Sequence, residues 1–294
     1  MKLINSKVEI LEPTGYTIDD VYKQIEIAGR TCYKSEDKIT PTSAKEFVDR
    51  MIKSGHGAML EHGTVYLTMP LQSEKTRKYV MNPYSKVNSV TLDDCNGRAY
   101  ITTNYRVLIE HNWLDDLQYM CEPTEHHEKR ITARFTCDRG VSHEFVRHRV
   151  FSFAQESTRY CNYNKDKFGN ELTFIIPTWL SIPEGNYTYW DGDWRDINKQ
   201  VIQISEDEEN VHSFLNTLDC SEYQYTMLIN AGWKPQQARQ VLPNALKTEL
   251  VMTGFESDWK HFFELRCDTA AHPDARKLAL ELYNKLYNKE YGKE

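Results

Sequence analysis

The chain has 294 residues and a formal net charge of -7, enough length for one large domain or for one domain carrying an insertion. The acidic balance argues against any general attraction to nucleic acid or to an anionic membrane, so an arginine cluster in this chain is a local device. No apolar run approaches membrane-spanning length, and the opening MKLINSKVEILEPTGY lacks the layout of a signal peptide, so a cytoplasmic protein is expected. The seven cysteines, at 32, 95, 121, 137, 161, 220 and 267, are scattered without CxxC pairs, which suits reduced thiols better than a disulfide frame or a zinc site; no metal is expected.

In chain order, KVEILEP reads as a short strand. A helix follows from about Thr17, with Asp19 and Asp20 placed to suit its dipole. TSAKEFVDRMIKSG predicts a second helix with Phe47, Val48, Met51 and Ile52 on one face and Gly55 as its stop. Val65, Leu67 and Met69 alternate with Tyr66 and Thr68 in a half-buried strand that Pro70 ends. Residues from about 70 to 129 are more polar, with turn signals at NPYS and DDCNGR, a strand at AYITTNY and a helix at RVLIEHNWLDDLQYM. They read as an insertion in a single domain spanning 1–294. RITARFT resumes strand alternation, and DRGVSHEFVRHR turns into a helix. A further helix covers NTLDCSEYQYTMLINAGWKP. The C-terminal third reads as helical through PQQARQVL, NALKTELVMT, SDWKHFFELR with Ser257 as N-cap, and DARKLALELYNKLYNKE with Ala275, Leu278, Leu282 and Leu286 on one stripe.

One stretch, RHRVFSFAQESTRY from Arg147 to Tyr160, does not read as a solvated charge run. On a helix through HEFVRHR, Glu144, Arg147 and His148 share one face at i, i+3 and i+4. Past Arg149 a two-residue alternation would aim Gln155, Ser157 and Arg159 one way if the segment is extended. Guanidinium forks, a hydroxyl, a carboxamide and backbone amides converging on one place are equipment for gripping phosphate and reading the edge of a base. An Arg/Glu network that merely ties helix to strand is the alternative reading of the same residues.

The stretch also resembles the signature of the flavin-dependent thymidylate synthases, in which RHR is followed by seven residues and Ser. GHGAMLEH at 55–62, AGRTCY at 28–33, ARQVLP at 238–243 and HFFELR at 261–266 are similar to other segments of that family, in the same order. The resemblance implies an α/β (α+β) fold with a central mixed sheet flanked by helices. It implies a homotetramer with sites shared between subunits, and conversion of dUMP to dTMP with methylenetetrahydrofolate as carbon donor, NADPH as reductant and FAD as hydride carrier. By position, Arg147, His148, Arg149 and Val150 would line the flavin, with His56, Glu61 and Cys32 contributing from another subunit and His261 joining them. Glu144, Gln155, Glu156, Ser157, Thr158 and Arg159 would cradle dUMP together with Arg239 and Arg266. Arg239, Arg266 and Ser157 would polarise or orient the pyrimidine. Taken singly, His56 is equally a helix C-cap donor, Glu61 a surface group and Arg239 an exposed helix arginine.

The sequence departs from the family pattern at Glu144, where an amide is common, at Ala58, where a small hydroxyl residue is common, and at Phe255, Ser257 and His261, where Asn or Arg contacts to the flavin are found. A catalytically impaired flavin- or nucleotide-binding homologue, acting as a sensor or assembly partner, is the alternative these departures raise.

Overall fold

A computed structural model describes residues 1–90, 97–165, 171–190, 193–196 and 208–292. Strands β1 (Lys2–Ile4) and β2 (Lys7–Ile10) precede helices α1 (Ile18–Tyr33), α2 (Ser43–Lys53) and the short α3 (Gly57–Leu60). Then come β3 (Thr64–Pro70), α4 (Glu74–Val80), β4 (Lys86–Val90), β5 (Arg98–Asn104) and α5 (Tyr105–Glu110), followed by β6 (Arg130–Asp138), α6 (Arg139–Phe145) and β7 (Ser152–Gln155). The remainder is β8 (Thr173–Ile175), β9 (Gly185–Asn186), β10 (Thr188–Trp190), β11 (Asp193–Arg195), α7 (Glu208–Asn230), α8 (Pro235–Ala238), β12 (Lys247–Phe255), α9 (Glu256–Arg266) and α10 (Pro273–Tyr287).

The architecture is α+β. Its central sheet, in the order β2-β6-β12-β7, is antiparallel throughout. Mixed pairing occurs instead in an outer sheet, where β1 runs parallel to β8 and antiparallel to β9. One face of the central sheet is covered by α6, α9 and α10 through Phe135, Phe145, Trp259, Phe262, Phe263, Leu278 and Leu282, all buried. On the other face α1 packs through Ala28 against Ala154 and Val251. β3, β5 and β4 form a further antiparallel sheet with its own apolar core against α1 and α2.

Local signals explain most element ends. Thr17 caps α1 in a reciprocal box with Asp20, and the helix stops at Lys34 in the left-handed region. Gly55 at φ +70° turns the chain out of α2. Several elements differ from the sequence expectation. NALKTELVMT is not helical: Lys247–Phe255 is the strand β12, buried on both faces from Leu250 onward, so this apolar part shows no alternation and resembles a buried helix. The helix expected over 106–120 stops at Glu110, because Asn112 takes φ +57° and a 3₁₀ turn follows at Leu114–Tyr119. α6 ends at Phe145, so Arg147 and His148 leave the helix face they were expected to share with Glu144. Tyr66 is buried as well as its neighbours on β3, and Ile52 on α2 is exposed. Ser257 lies inside α9 and bonds Glu128, while Phe255 holds the cap position.

Two polar devices join these parts. A chain of alternating charges runs behind β7, in which Lys247 bonds Glu156 at 2.8 Å and Glu249 at 2.8 Å, and Lys34 bonds Glu249 at 2.9 Å. Burial works against ionisation of Glu249, yet Lys247 and Lys34 hold its carboxyl down at about 2. The second device ties the β3 sheet to the central one. His62, 1% exposed, meets the Thr253 hydroxyl at 2.8 Å, and Arg130 donates to the Glu61 carbonyl at 2.9 Å. Burial, helped by the Arg130 charge, pushes His62 down to about 3, so the folded protein holds it neutral.

Two outcomes are expected. Lys247→Met leaves the Glu156 and Glu249 carboxylates facing one another without their shared cation, and denaturant unfolding should register a loss of about 3–5 kcal/mol. Between the ordinary histidine pKa of about 6.5 and its folded value, His62 takes up a proton only in the unfolded chain, so its contribution falls as pH falls through that window, by up to about 1.4 kcal/mol per pH unit. Unfolding measured at pH 7 and pH 5 should show this slope, and His62→Gln should flatten it.

Candidate functional site

The positions singled out in the sequence gather into distinct groups. β6 ends at Asp138, whose side chain accepts from the Val141 amide at 2.8 Å and starts α6, placing Arg139 in the first turn. The Arg139 backbone N–H bonds the Asn244 carbonyl at 2.9 Å, yet its Nη1 is buried without a partner. Beside it Arg239 donates from Nη1 to the Thr158 hydroxyl at 3.2 Å. Arg139, Thr158, Arg239, Gln240, Leu242 and Leu246 line a cleft of about 270 Å³. Two guanidinium groups, one with an unmet buried donor, beside a hydroxyl make a site for a small dense anion such as a phosphate. Sequence reasoning placed Thr158 and Arg239 here and missed Arg139. Its signal was present, since it opens the same helix that leads into the RHR stretch.

The second group centres on Arg266 at the last turn of α9. It donates from Nε to His148 Nε2 at 3.0 Å, from Nη2 to the Glu144 carbonyl at 2.8 Å and from Nη1 to the Glu144 carboxylate. Because His148 Nε2 accepts, its proton sits on Nδ1. Burial first, then the charges of Arg266 and His261, push His148 down to about 4. Glu144 and His148 are thus brought together by Arg266 and not by a shared helix face.

The expected extended segment ends at Gln155. Its amide donates to Ser142 Oγ at 2.9 Å and to Thr248 Oγ1 at 3.3 Å. Ser157 opens a turn, its carbonyl accepting from the amides of Tyr160 and Cys161, and its hydroxyl accepts from the Arg159 amide at 3.3 Å. The alternation therefore breaks before Arg159, which is exposed with its guanidinium 5.6 Å from the Tyr160 ring. Glu156 does not face the cleft: it is 2% exposed and committed to Lys247 and to the Tyr163 hydroxyl at 3.0 Å.

Cys32 and His56 lie against this turn in the same chain. The Cys32 carbonyl accepts from the Ser157 amide at 3.0 Å, while its thiol turns to the Met59 sulfur at 3.9 Å and burial pushes it up to about 11. His56 Nδ1 is 3.2 Å from the Tyr33 hydroxyl, and the Tyr33 ring is 5.5 Å from that of Tyr160. The remaining positions make no side-chain bond to these groups among the described residues. Arg147, Arg149 and Val150 are exposed, and among the described residues neither arginine has a side-chain partner. Glu61 pairs with Arg106 at 2.5 Å, and His261, exposed, with Glu264 at 3.3 Å. Among the described residues no group of three or more His, Cys, Asp or Glu is arranged to hold a metal, and no helix is long and apolar enough to cross a membrane.

Comparison with known proteins adds a lineage to this geometry. The family described as thymidylate synthase complementing protein matches residues 94–289. A flavin-dependent thymidylate synthase of Corynebacterium aurimucosum is 24% identical over 262 residues, covering 87% of this chain and 72% of that protein. One from Pyrococcus furiosus is 30% identical over 146 residues, covering 50% of this chain and 49% of that protein. A solved structure of the UMP/dUMP methylase PolB from Streptomyces cacaoi, bound with 5-Br dUMP, aligns over 98% of this chain and 93% of that one, at 16% identity and a TM-score of 0.44. With two arginine-bearing groups set around the RHR stretch and a family match across two thirds of its length, the chain belongs to the flavin-dependent thymidylate synthase family.

Proposed function

We propose that the protein is a thymidylate-forming methyltransferase that converts dUMP to dTMP, with methylenetetrahydrofolate as carbon donor, NADPH as reductant and FAD as its flavin. The observation that carries the reading is the cleft at Arg139, Thr158 and Arg239, where a buried guanidinium nitrogen lacks a partner. A buried donor left unmet costs on the order of 1–3 kcal/mol, and a nucleotide phosphate would satisfy it. The Arg266, His148 and Glu144 group is the second pole, suited to the polar edge of the pyrimidine. Gln155 and Ser157 lie on the segment between them.

The residues around Arg147 suit a flavin. Two unpaired guanidinium groups and Val150, 66% exposed, stand on one turn, which fits a ligand that joins a pyrophosphate to an apolar ring system. When bound, the flavin supplies hydride transfer, and the protein's part is binding and orientation. His148, held neutral, offers an Nδ1 proton without a full charge. Arg266, already balanced by Glu144, presents a fixed dipole to the base. Among the described residues neither base near Ser157 in sequence is free to take its proton, because Glu156 faces the interior and His148 is engaged by Arg266, so its hydroxyl orients the nucleotide and does not attack it. Arg147, Arg149 and Val150 stand exposed, and among the described residues neither arginine has a side-chain partner in its own chain, which suits a homotetramer whose sites draw on more than one subunit, each subunit one functional domain including residues 70–129. The partnered, intact pole at Arg266 favours an active enzyme over an impaired homologue.

The direct test is to purify the protein, record a flavin spectrum, and follow dTMP by chromatography with dUMP, methylenetetrahydrofolate and NADPH supplied. Formation of dTMP dependent on all three is expected, and its absence from flavin-loaded protein would sink the proposal. Arg139→Ala and Arg239→Ala should each weaken dUMP binding by roughly ten- to a hundredfold while flavin content is kept, as a lost charge-assisted contact requires. Calorimetric titration of flavin-loaded protein reads this. Arg266→Ala should lower turnover more than it weakens dUMP binding, because it frees His148 and leaves Glu144 unbalanced beside the base. A proportional fall in both would assign Arg266 to binding alone.

A further inference from the structure

The segment from 70 to 129 carries no part of the signature, yet one of its side chains reaches the turn that carries His56 and Glu61. Arg106, in the first turn of α5, bridges two carboxylates, with Nη1 at 2.5 Å from Glu61 Oε1 and Nε at 2.7 Å from Glu110 Oε1. It lies across the start of α3 as well: a Cβ on Gly57 would stand 3.1 Å from Arg106 Nε. The neighbouring Tyr105 amide bonds the Gly63 carbonyl at 2.8 Å. Residues 105 and 106 therefore grip the 57–63 turn at Gly57, Glu61 and Gly63.

The end of that turn is anchored by the buried Leu60 and His62 and by Arg130 on the Glu61 carbonyl, but its first residues have less to hold them. α3 is four residues long, far below the length at which a helix is stable alone, and His56 at its N-cap makes no side-chain cap bond. An isolated surface ion pair would add little. A guanidinium forked between two carboxylates and packed over a glycine instead fixes a direction, because its planar donors allow few alternatives.

We propose that Arg106 is a positioning residue: acting through Glu61, it clamps the 56–63 turn in the orientation that presents this wall to the flavin. The inference rests on the reading of the site as a flavin site, and it gives the 70–129 segment a part in building it. A side chain at 57 would have to push the Arg106 fork aside by a few tenths of an ångström, so the glycine suits this packing.

The test uses the full chain. In Arg106→Met, amide hydrogen exchange of residues 57–63 should quicken by about tenfold while exchange in β6 and β12 stays as in the wild type. The flavin dissociation constant should rise about tenfold, and Arg106→Lys should restore it only in part. In a Glu61→Met background, which has no acceptor for the fork, the same Arg106 substitution should change flavin affinity by less than about threefold, since its route of action is gone. Unchanged exchange at 57–63 would overturn the clamp whether or not flavin binds. Faster exchange with unaltered flavin affinity would overturn its role in the site. A wild-type chain that takes up no flavin would overturn the flavin reading itself, and with it that role, while the exchange result would still report on the clamp separately.

Discussion

The ladder between β6 and β12 is the constraint on which the remaining arrangement hangs. Nine consecutive pairs, from Lys247 opposite Asp138 to Phe255 opposite Arg130, hold the two longest strands of the central sheet in one register. A slip of one residue would turn every side chain to the other face, exchanging Phe135 and Leu250 for Arg134 and Glu249 in the apolar layer. At one end the ladder delivers Asp138 to cap α6, and so sets Arg139 beside Arg239. At the other end, roughly 27 Å away at the usual strand rise, it delivers Arg130 and Phe255 to the junction with the β3 sheet. The two halves of the molecule are spaced by the length of this pairing.

Charge is used in two different ways along that frame. Behind β7 every buried ion has a partner of opposite sign, and the network of Lys34, Glu249, Lys247 and Glu156 fixes the backbone on which Gln155 and Ser157 sit. In front of it, Arg139 retains a donor without an acceptor, and Arg147 and Arg149 extend outward. The first set holds the scaffold, whereas the unmet Arg139 nitrogen lies in the cleft beside Arg239 and Thr158. An overall acidic chain can carry such a cationic site because the compensating carboxylates lie elsewhere on its surface.

Much of this was legible in the sequence, and the failures have physical causes. The helix start at about Thr17, the stop at Gly55 and the stripe on α10 are local signals that depend on neighbours within one or two turns, and the structure contains them. β12 was not legible as a strand, because burial on both faces erases the alternation that marks one, and Leu250, Val251 and Met252 suit either element. The end of α6 before Arg147 and the turn at Ser157 decide which way the signature side chains point, and neither has a Gly or Pro to announce it. Glu156 shows the consequence: its place in the motif suggested a ligand contact, but its direction follows from Lys247, ninety-one residues further along the chain. Arg139 was overlooked for the opposite reason, since an arginine at a helix start looks ordinary until its unpaired nitrogen is seen. The pairing of Arg266 with Glu144 and His148 spans more than a hundred residues and left no local trace.

That last pairing bears on how tightly the site can discriminate. A long flexible side chain that is free before a ligand arrives must surrender its rotamers on contact, and part of the interaction is spent on ordering it. Arg266 has all three of its donor nitrogens engaged, to a carboxylate, a carbonyl and an imidazole, with only 16% of its side chain exposed. Its ordering is accomplished when the protein folds and not when a ligand binds. On the proposed reading, a base entering beside it would meet a rigid surface, and stiffness of this kind discriminates by refusing to accommodate a differently shaped ring, with no extra contact to the correct one.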